Sequence, residues 1–505
     1  MTKDAEKLLK QIADMSEQCN DIKVTIDINK IQKILSTQIS INNLLDELKS
    51  NDFISSYEDN IYGEINVYLM SNRTEDFYKN KRLIRVSGND CVVNITGGQL
   101  NVASRNASII STNTGGISEN ELPIEITYDF QYLKSLYEHL SSYYNFMLSI
   151  IGDNHQSIGK IRNNIDLIKR SLNCYYNGRI KKAYECIKKI LTNYINSPYI
   201  VASINENYAF KGLSPKIIRP NILIGDEDYA NIYENMLAHE LSFFKARVAS
   251  EKIIIKDMLH IPFDKRSLVS TQRFSIPGIP CIYLSTTSFG CWLELGTPES
   301  DIFQVSSFKI PTNLKVLNLC IRWKFIEGMI KLANTKEERE VIFDFYEIYP
   351  LVIATSYHIR EINRKFKSEY IISQIVMQVC NELKIDGIAY LSKRITDYYA
   401  YPQAVNLAIS VPYNVDLLYW EKANEVLITE PVRFSDFCKM KIANQGIAQF
   451  SSYVNEIYKN SLNNDIWIAG NEMKYTDTKF SAFDEYLVSQ KFKSFINFSS
   501  ENRLS

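Results

Sequence analysis

The sequence predicts an α+β protein in which helical and strand-forming segments occupy different stretches of the chain. From about 128 to 196 the apolar residues, among them Leu136 and Leu140, recur every three or four positions, which is typical of amphipathic helices. Two shorter apolar runs, 241–248 and 281–285, have the length of strands. Helices and strands that are segregated in this way favour the α+β class.

The first 120 residues are predicted to form a mainly helical region with a short strand-rich segment. Helical spacing begins at Leu8, strand-like alternation interrupts it near Val24, and a further strand is expected at 65–69. Residues 88–116 are nearly free of charge, and their alternation of apolar and small polar residues predicts two or three strands with Gly-Gly turns. This segment is either an exposed hairpin or linker, or a strand unit that pairs with another copy of itself.

The rest of the chain is predicted to form two further regions. Residues 121–234 form a helical regulatory region and a linker, because Pro198, Pro215 and Pro220 interrupt the periodic pattern. Residues 235–495 form the third region, which carries the candidate chemistry.

Composition argues against several classes of function. Lys and Arg (57) nearly balance Asp and Glu (58), and no basic stripe is visible, so a nucleic-acid partner is not expected. The nine Cys form no CxxC pair and the five His form no HExxH spacing, so no metal site is expected. With neither an apolar leader nor a membrane-length apolar run, the chain is expected to be cytoplasmic, without a membrane partner.

The segment 241–300 holds the most informative pattern of polar residues. A Pro277-Gly278 turn separates Arg273 from the second strand, and the turn is expected to bring Arg273 and Tyr283 together at a strand edge. A short helix at 288–295 then presents Glu294.

These motifs occur in the order found in the RES domain, which the segment resembles. The matching elements are Lys-Ala-Arg247, Arg273-Phe-Ser-Ile-Pro-Gly, Cys-Ile-Tyr283-Leu-Ser285 and Trp-Leu-Glu294, then Phe366–Gln374, Ile385–Ser392, Val405–Ile409 and the segment beginning at Tyr475. The resemblance covers roughly 235–495.

The resemblance implies a fold related to ADP-ribosyltransferases, in which NAD lies in a cleft of a split β-sandwich. RES toxins degrade NAD with phosphate as the acceptor and usually occur with an antitoxin. The chain is therefore expected to be an NAD-consuming toxin, a phosphorylase or glycohydrolase acting in growth arrest or phage defence. NAD is its substrate, phosphate is a second ligand, and no cofactor is expected.

The chemistry of NAD cleavage assigns roles to these residues. Breaking the nicotinamide–ribose bond develops positive charge on the ribose, which the Glu294 carboxylate can stabilise. Arginines suit the pyrophosphate because they donate in a planar, bidentate fashion. The expected catalytic residues are Glu294, Tyr283 and Arg247, and the expected ligand-binding residues are Arg247, Arg273, Tyr283, Ser285, Ser392 and Arg266.

Each assignment has a purely structural alternative. Arg247 could form a surface ion pair, Tyr283 could pack in the core, Glu294 could lie on a solvated helix face, and Ser392 could be a turn residue. His260 is expected to be a packed loop histidine, and Arg394 is expected to be solvated.

Two other functions are compatible with the same residues. An ADP-ribosyltransferase that modifies a macromolecule would differ only in its acceptor, and an interaction scaffold would have an inactive RES-like half. The N-terminal half is expected to act through self-association or by binding a regulatory protein.

Overall fold

The computed structural model describes most of the chain from residue 122 onward and short segments before it. The described residues are 8, 23–27, 44–46, 48, 54–59, 64–69, 93–95, 98–100, 122–126, 128–152, 155–211, 241–323, 325–326, 343–359, 364–440, 454, 465–468 and 471–495. The chain divides into two compact units, Met1–Asp90 and Cys91–Ser505.

The first unit contains a three-stranded antiparallel sheet. Its strands are β1 (Lys23–Asp27), β2 (Ile54–Asp59) and β3 (Glu64–Leu69), and β3 lies between the other two. The strands predicted near Val24 and at 65–69 are confirmed. The sequence does not predict β2, because its residues, Ile-Ser-Ser-Tyr-Glu-Asp, show no regular apolar alternation.

The uncharged segment 88–116 contributes an antiparallel hairpin. Its strands are β4 (Val93–Ile95) and β5 (Gly98–Leu100), and Ile95 lies opposite Gly98. The strand prediction is confirmed for these residues, and the remainder of 88–116 lies outside the described residues.

Three amphipathic helices follow, as the spacing predicts. They are α1 (Tyr132–Ile151), α2 (Gln156–Tyr176) and α3 (Ile180–Thr192). The buried residues of α1 are Tyr132, Leu136, Leu140, Tyr143 and Met147, which recur every three or four positions and so form one apolar stripe.

Eight further helices have both ends within the described residues. They are α4 (Tyr208–Lys211), α5 (Ile255–Met258), α6 (Ser288–Glu294), α7 (Phe343–Ala354), α8 (Ile371–Glu382), α9 (Asp397–Ala400), α10 (Phe434–Lys439) and α11 (Lys479–Ser489). In the part of the chain that the structure describes, no helix has both the length and the apolar character needed to cross a membrane.

A ten-stranded mixed sheet organises the second unit. Its strands are β7 (Val201–Ser203), β8 (Phe243–Val248), β9 (Cys281–Ser285), β10 (Phe303–Lys309), β11 (Lys315–Leu319), β13 (Gly387–Leu391), β14 (Val405–Ser410), β15 (Leu427–Ile428), β16 (Val432–Arg433) and β19 (Lys493–Ser494). Their order is β19-β15-β10-β8-β9-β14-β13-β11-β7, with β16 also paired to β10. Two smaller pairs are β6 (Ile124–Glu125) with β12 (Tyr357–His358), and β17 (Asp465–Ile468) with β18 (Asn471–Lys474).

The sheet falls into two parts between β8 and β9. These strands pair at one position, Phe244 opposite Ser285, whereas β8 pairs with β10 over six positions and β9 pairs with β14 over five. The α+β prediction is confirmed. The strands predicted at 241–248 and 281–285 are confirmed, and so is the short helix that carries Glu294.

Both faces of the sheet are buried in apolar cores. Alternate residues of β13 illustrate this arrangement, because Ile388 and Tyr390 pack in one core while Ala389 and Leu391 pack in the other. Successive strand side chains point to opposite faces, so a strand covered on both sides is apolar throughout.

The first of these cores also contains the helices that precede the sheet. Side chains of α1, α2 and α3 pack together with those of β11, β13, α7 and α8. Every residue of α7 except Asp344 is buried, as expected for a helix that is apolar on all sides. Described residues from both predicted regions, 121–234 and 235–495, therefore share one apolar core.

Candidate active site

A cavity of about 1150 Å³ lies where the two parts of the sheet diverge. Its wall includes alternate residues of β8 and β9, namely Lys245, Arg247, Cys281, Tyr283 and Ser285. Ligand pockets commonly have volumes of roughly 300–1,000 Å³, so this cavity is large enough for a dinucleotide.

The structure brings most of the predicted site residues to this cavity. Arg247, Arg273, Tyr283, Ser285 and Glu294 line its wall. Ser392 is fully buried and does not line the described wall. Its hydroxyl donates a hydrogen bond to Glu294, which does.

Arg266 lies apart from the predicted group and does not line the wall. It is an exposed residue of the turn Phe263–Leu268, and its guanidinium lies 4.5 Å from the ring centroid of Tyr413. The sequence could not separate Arg266 from the site residues, because its position depends on how the turn folds back on Tyr413.

Glu294 is fixed at the end of α6 by two neutral donors. The Ser392 hydroxyl donates to Oε1 at 2.8 Å, and the Asn406 amide nitrogen donates to the same oxygen at 2.6 Å. Because no ion pair involves Glu294 within the described ranges, its negative charge remains available to a ligand. Glu294 is not on a solvated helix face, since it is partly buried in the cavity wall.

Helix α6 is itself held at its N-terminus. The Thr287 side chain accepts a hydrogen bond from the Gly290 amide at 2.9 Å, and the Asp484 carboxyl of α11 accepts one from the Ser288 amide at 2.9 Å. Burial raises the pKa of Asp484 to about 7.

Gly290 allows α6 to approach β9 closely. A side chain at Gly290 would place its Cβ 2.0 Å from the Ser285 Oγ and 3.2 Å from the Gln403 carbonyl, so only glycine allows this close approach.

Tyr283 presents its ring to the cavity while its hydroxyl is bound. The hydroxyl accepts from the Phe274 amide at 3.2 Å and lies 3.1 Å from the Ser275 hydroxyl. Burial raises the pKa of Tyr283 well above its usual range, so the phenol is neutral. The sequence predicts Tyr283 at a strand edge. β9 lies inside the sheet, but β8 pairs with it only at Ser285, so the side of β9 that faces β8 is unpaired at Tyr283.

The guanidinium of Arg273 donates hydrogen bonds to the protein backbone. Its two terminal nitrogens donate at 2.8 Å to the carbonyls of Thr355 and Tyr357, just after α7, and its guanidinium lies 5.1 Å from the Tyr370 ring centroid. Arg273 therefore links the cavity wall to the end of α7.

Arg247 and Lys245 stand two residues apart on β8 and line the cavity together. The Nε atom of Arg247 is buried without a hydrogen-bond partner among the described residues. Arg247 is a residue of β8 that faces the cavity, so the alternative in which it forms a surface ion pair does not apply. Lys245 was missed by the sequence analysis, although its spacing from Arg247 places both side chains on one strand face.

The cavity is strongly cationic. The Lys and Arg residues on its described wall are Lys245, Arg247, Arg273, Arg364, Lys365, Lys367, Lys393 and Arg394, and the acids are Asp257 and Glu294. Arg364 is paired with Glu369, and Lys393 is paired with Asp397. Arg394, which is predicted to be solvated, is half-buried and lies on this wall. A polyanion matches this charge distribution.

Two histidines near the cavity have fixed tautomers. His260 donates from Nδ1 to the Ile261 carbonyl at 2.7 Å and accepts at Nε2 from the Trp420 amide at 2.9 Å, and burial lowers its pKa to about 4. It is therefore the packed loop histidine that the sequence predicts. His358 lies on the wall, and its Nδ1 is 2.6 Å from the Lys393 carbonyl, which leaves Nε2 as an acceptor.

The sequence analysis missed Asn406 and His358 as site residues. Asn406 lies within the quoted Val405–Ile409 motif, and its position in an otherwise apolar buried strand is a signal that could have identified it. His358 offers no such signal, because only the fold brings β12 to the cavity. No group of three or more metal-binding side chains occurs within the ranges that the structure describes.

The chain is similar to a protein named "Putative toxin YopC" from Bacillus subtilis (strain 168). The two are 32% identical over 209 residues. The match covers 39% of this chain and 47% of the relative, so the chain spans about half of that protein's length. No family model matches the chain, and no solved structure matches it.

Proposed function

We propose that the chain is a RES-type toxin that consumes NAD by cleaving the bond between nicotinamide and ribose. The observation that carries the proposal is the Glu294 carboxylate, which two neutral donors hold in a cavity otherwise rich in cations. The acceptor is phosphate or water, and the biological role is growth arrest or phage defence in the cytoplasm.

The geometry of Glu294 suits the charge that develops during cleavage. As the bond to nicotinamide breaks, the ribose becomes oxocarbenium-like, and a fixed carboxylate stabilises that positive charge. The Ser392 and Asn406 donors orient the carboxylate before the reaction, so it need not reorganise in the transition state. Nicotinamide leaves as a neutral ring, for which the Tyr283 ring provides a flat neighbouring surface.

The cations of the wall suit the pyrophosphate of NAD. The Nε donor of Arg247 has no hydrogen-bond partner among the described residues, and Arg273 is positioned by the Thr355 and Tyr357 carbonyls. Planar guanidinium groups bind phosphate oxygens in pairs, which favours these arginines as pyrophosphate ligands. Ser285 lies beside them on the wall.

The similarity to a protein named as a toxin supports the proposed role. A toxin that depletes NAD needs a control mechanism, and the N-terminal half is the proposed site of self-association or of a regulatory protein. Most of the uncharged segment 88–116, on which this idea depends, lies outside the described residues. No nucleic-acid or membrane partner is proposed.

The test is NAD loss with the purified chain, measured with and without phosphate. We expect Glu294→Gln to lower the rate by about 100-fold or more, because it removes the charge that stabilises the transition state. The matched control is Glu299→Gln, since Glu299 is exposed and lies outside the cavity wall. A phosphate-dependent ADP-ribose phosphate product identifies a phosphorylase, and a phosphate-independent ADP-ribose product identifies a glycohydrolase.

Other outcomes would replace the proposal. Label transferred from NAD to a protein or nucleic acid would identify a macromolecular ADP-ribosyltransferase. The exposed apolar residues Val248, Leu268 and Leu295 beside the cavity favour this second candidate, since they offer a contact surface to such an acceptor. If the chain neither consumed NAD nor transferred label, with or without residues 1–120, it would be a scaffold and the proposal would be wrong.

A further inference from the structure

Lys245 and Arg247 are neighbouring basic residues of β8 for which the described part of the chain supplies no counterion. Alternate strand residues leave the same face about 7 Å apart along the strand, so both side chains enter the cavity from one side. Neither residue makes an ion pair or a side-chain hydrogen bond with the part of the chain that the structure describes.

The groups that face this pair supply little negative charge. Cys281 on β9 and Cys291 on α6 have thiols whose pKa values are raised by burial, to about 12 for Cys281, so both are neutral at pH 7. His260 is also neutral there, because burial lowers its pKa to about 4. Asp257 on α5 attracts Arg247, but it is exposed and lies beyond ion-pair distance.

The strand on the other side of β8 offers no acid either. Ser306 and Gln304 of β10 lie opposite Lys245 and Arg247. The Gln304 amide is already bound, since its nitrogen donates to the Ala249 carbonyl at 3.0 Å and its oxygen accepts from the Ile253 amide at 3.0 Å. Unpaired cations in a partly buried site are costly, and an anionic ligand removes that cost.

We propose that Lys245 and Arg247 form a subsite for a phosphate group, and that the protein takes up a proton when this subsite is filled. A tetrahedral phosphate presents several oxygens, so one group can accept from Arg247 and Lys245 together. Burial, and next the adjacent Arg247, lower the pKa of Lys245 to about 7 in the empty cavity. A bound phosphate dianion favours the charged ammonium and raises this pKa again.

Lys245 belongs to the Lys-Ala-Arg247 element, but the RES resemblance assigns it no role, so the subsite adds a ligand-binding residue to the proposed function. It requires only an anionic ligand, so it can succeed or fail independently of NAD cleavage. The phosphate group could come from free phosphate or from a nucleotide pyrophosphate, and the two probes below distinguish these sources.

The test is calorimetric titration of the full chain at pH 8 in two buffers with different ionisation enthalpies. One titration uses inorganic phosphate and the other uses ADP-ribose, whose pyrophosphate does not titrate near pH 8. The difference in heat between buffers gives the number of protons taken up. We expect nearly one proton per bound ligand, because a lysine with a pKa of about 7 is mostly neutral at pH 8 when the site is empty.

Three variants isolate the contribution of Lys245. Lys245→Gln should weaken phosphate binding about tenfold or more and abolish proton uptake, because it removes a charge-assisted hydrogen bond. Lys245→Arg should keep binding but lose the uptake, since arginine is always charged. Lys252→Gln, at an exposed position outside the wall, should behave like the wild type. Circular dichroism confirms that each variant is folded.

The two possible sources of the phosphate group predict different results when phosphate and ADP-ribose are present together. Competition between ADP-ribose and phosphate would assign the subsite to the nucleotide, and simultaneous binding would assign it to free phosphate; both results support the subsite. The subsite would be overturned if Lys245→Gln kept wild-type affinity and proton uptake. It would also be overturned if Lys245→Arg kept the uptake unchanged, or if neither probe bound to the wild type. Phosphate binding at Lys245 without NAD loss would overturn the proposed function but leave the subsite standing.

Discussion

At Glu294 the carboxylate is oriented by neutral groups, because the Ser392 hydroxyl and the Asn406 amide both donate to Oε1. A lysine or arginine at the same place would neutralise the charge that the proposed reaction requires. The Asn406 Oδ1 atom is buried without a partner among the described residues, so this amide is not fully satisfied by the protein. Such an incompletely satisfied polar group is common where a ligand completes the contacts.

We expect Ser392→Ala to lower kcat/KM for NAD loss. The hydroxyl donates to a charged oxygen, and such bonds contribute about 1.5–3 kcal/mol, which corresponds to a loss of roughly 10- to 150-fold. The unfolding midpoint should change little by comparison. Ser141→Ala on the exposed face of α1 is the control. An unchanged kcat/KM would mean that Ser392 does not orient Glu294 for the reaction.

At the level of the elements, α6 is a seven-residue helix whose position depends on its neighbours. Isolated helices of this length are unstable in water, so capping and packing must hold it. Three interactions fix the N-terminal end of α6, which lies beside β9. They are the Thr287 cap, the close approach of Gly290 to Ser285, and the hydrogen bond to the Asp484 carboxyl of α11. The opposite end carries Glu294, so α11 supports the candidate site through α6, although no residue of α11 lies on the described cavity wall.

Asp484 should make stability depend on pH in a defined direction. Burial raises its pKa from the ordinary value of 3.8 to about 7, so the folded protein favours the protonated carboxyl. This contribution is complete below about pH 4 and is lost as the pH rises through about 7. Asp484→Asn mimics the protonated form, so its stability relative to wild type should increase progressively from pH 5 to pH 8, by about 3 kcal/mol over this range.

The measurement is the apparent unfolding temperature of wild type and Asp484→Asn at several pH values between 5 and 8. Asp416→Asn serves as the control because Asp416 is exposed. A difference between wild type and Asp484→Asn that stayed constant across this range would show that Asp484 does not titrate there.

In the second compact unit, the helices before residue 200 are part of the same structure as the candidate site. The side chains of α1, α2 and α3 share a core with β11, β13 and α7, and β7 adds a strand to the edge of the sheet beside β11. Arg273 is anchored to carbonyls just after α7, so this core extends to the cavity wall. The helical region therefore supports the site directly.

This shared core predicts how fragments of the chain behave. A fragment of residues 235–505 should fail to fold cooperatively, because it lacks α1–α3 and β7 and exposes the apolar faces of α7 and α8. A fragment of residues 91–505 should unfold cooperatively, since it keeps the whole core. Urea unfolding followed by tryptophan fluorescence tests both fragments, because Trp323 is buried in this core. Cooperative unfolding of residues 235–505 alone would show that the helices form a separate domain.

The amino-acid sequence by itself determined the local structure and the chemical character of the site. The three helices, the strand Cys281–Ser285 and the helix bearing Glu294 follow from apolar spacing, turn residues and caps, which act over a few positions. The resemblance of the ordered motifs to the RES domain also pointed to five residues that line the cavity wall.

Only the tertiary structure decided which distant residues meet. His358, Arg394 and Asn406 reach the cavity through β12, the loop after β13, and β14, whereas Arg266 turns away to Tyr413. The separation of β8 from β9 opens the cavity, and the packing of α1–α3 onto the sheet joins two regions that look separate in the sequence. Such contacts depend on strand order and core packing across hundreds of residues, which local periodicity does not encode.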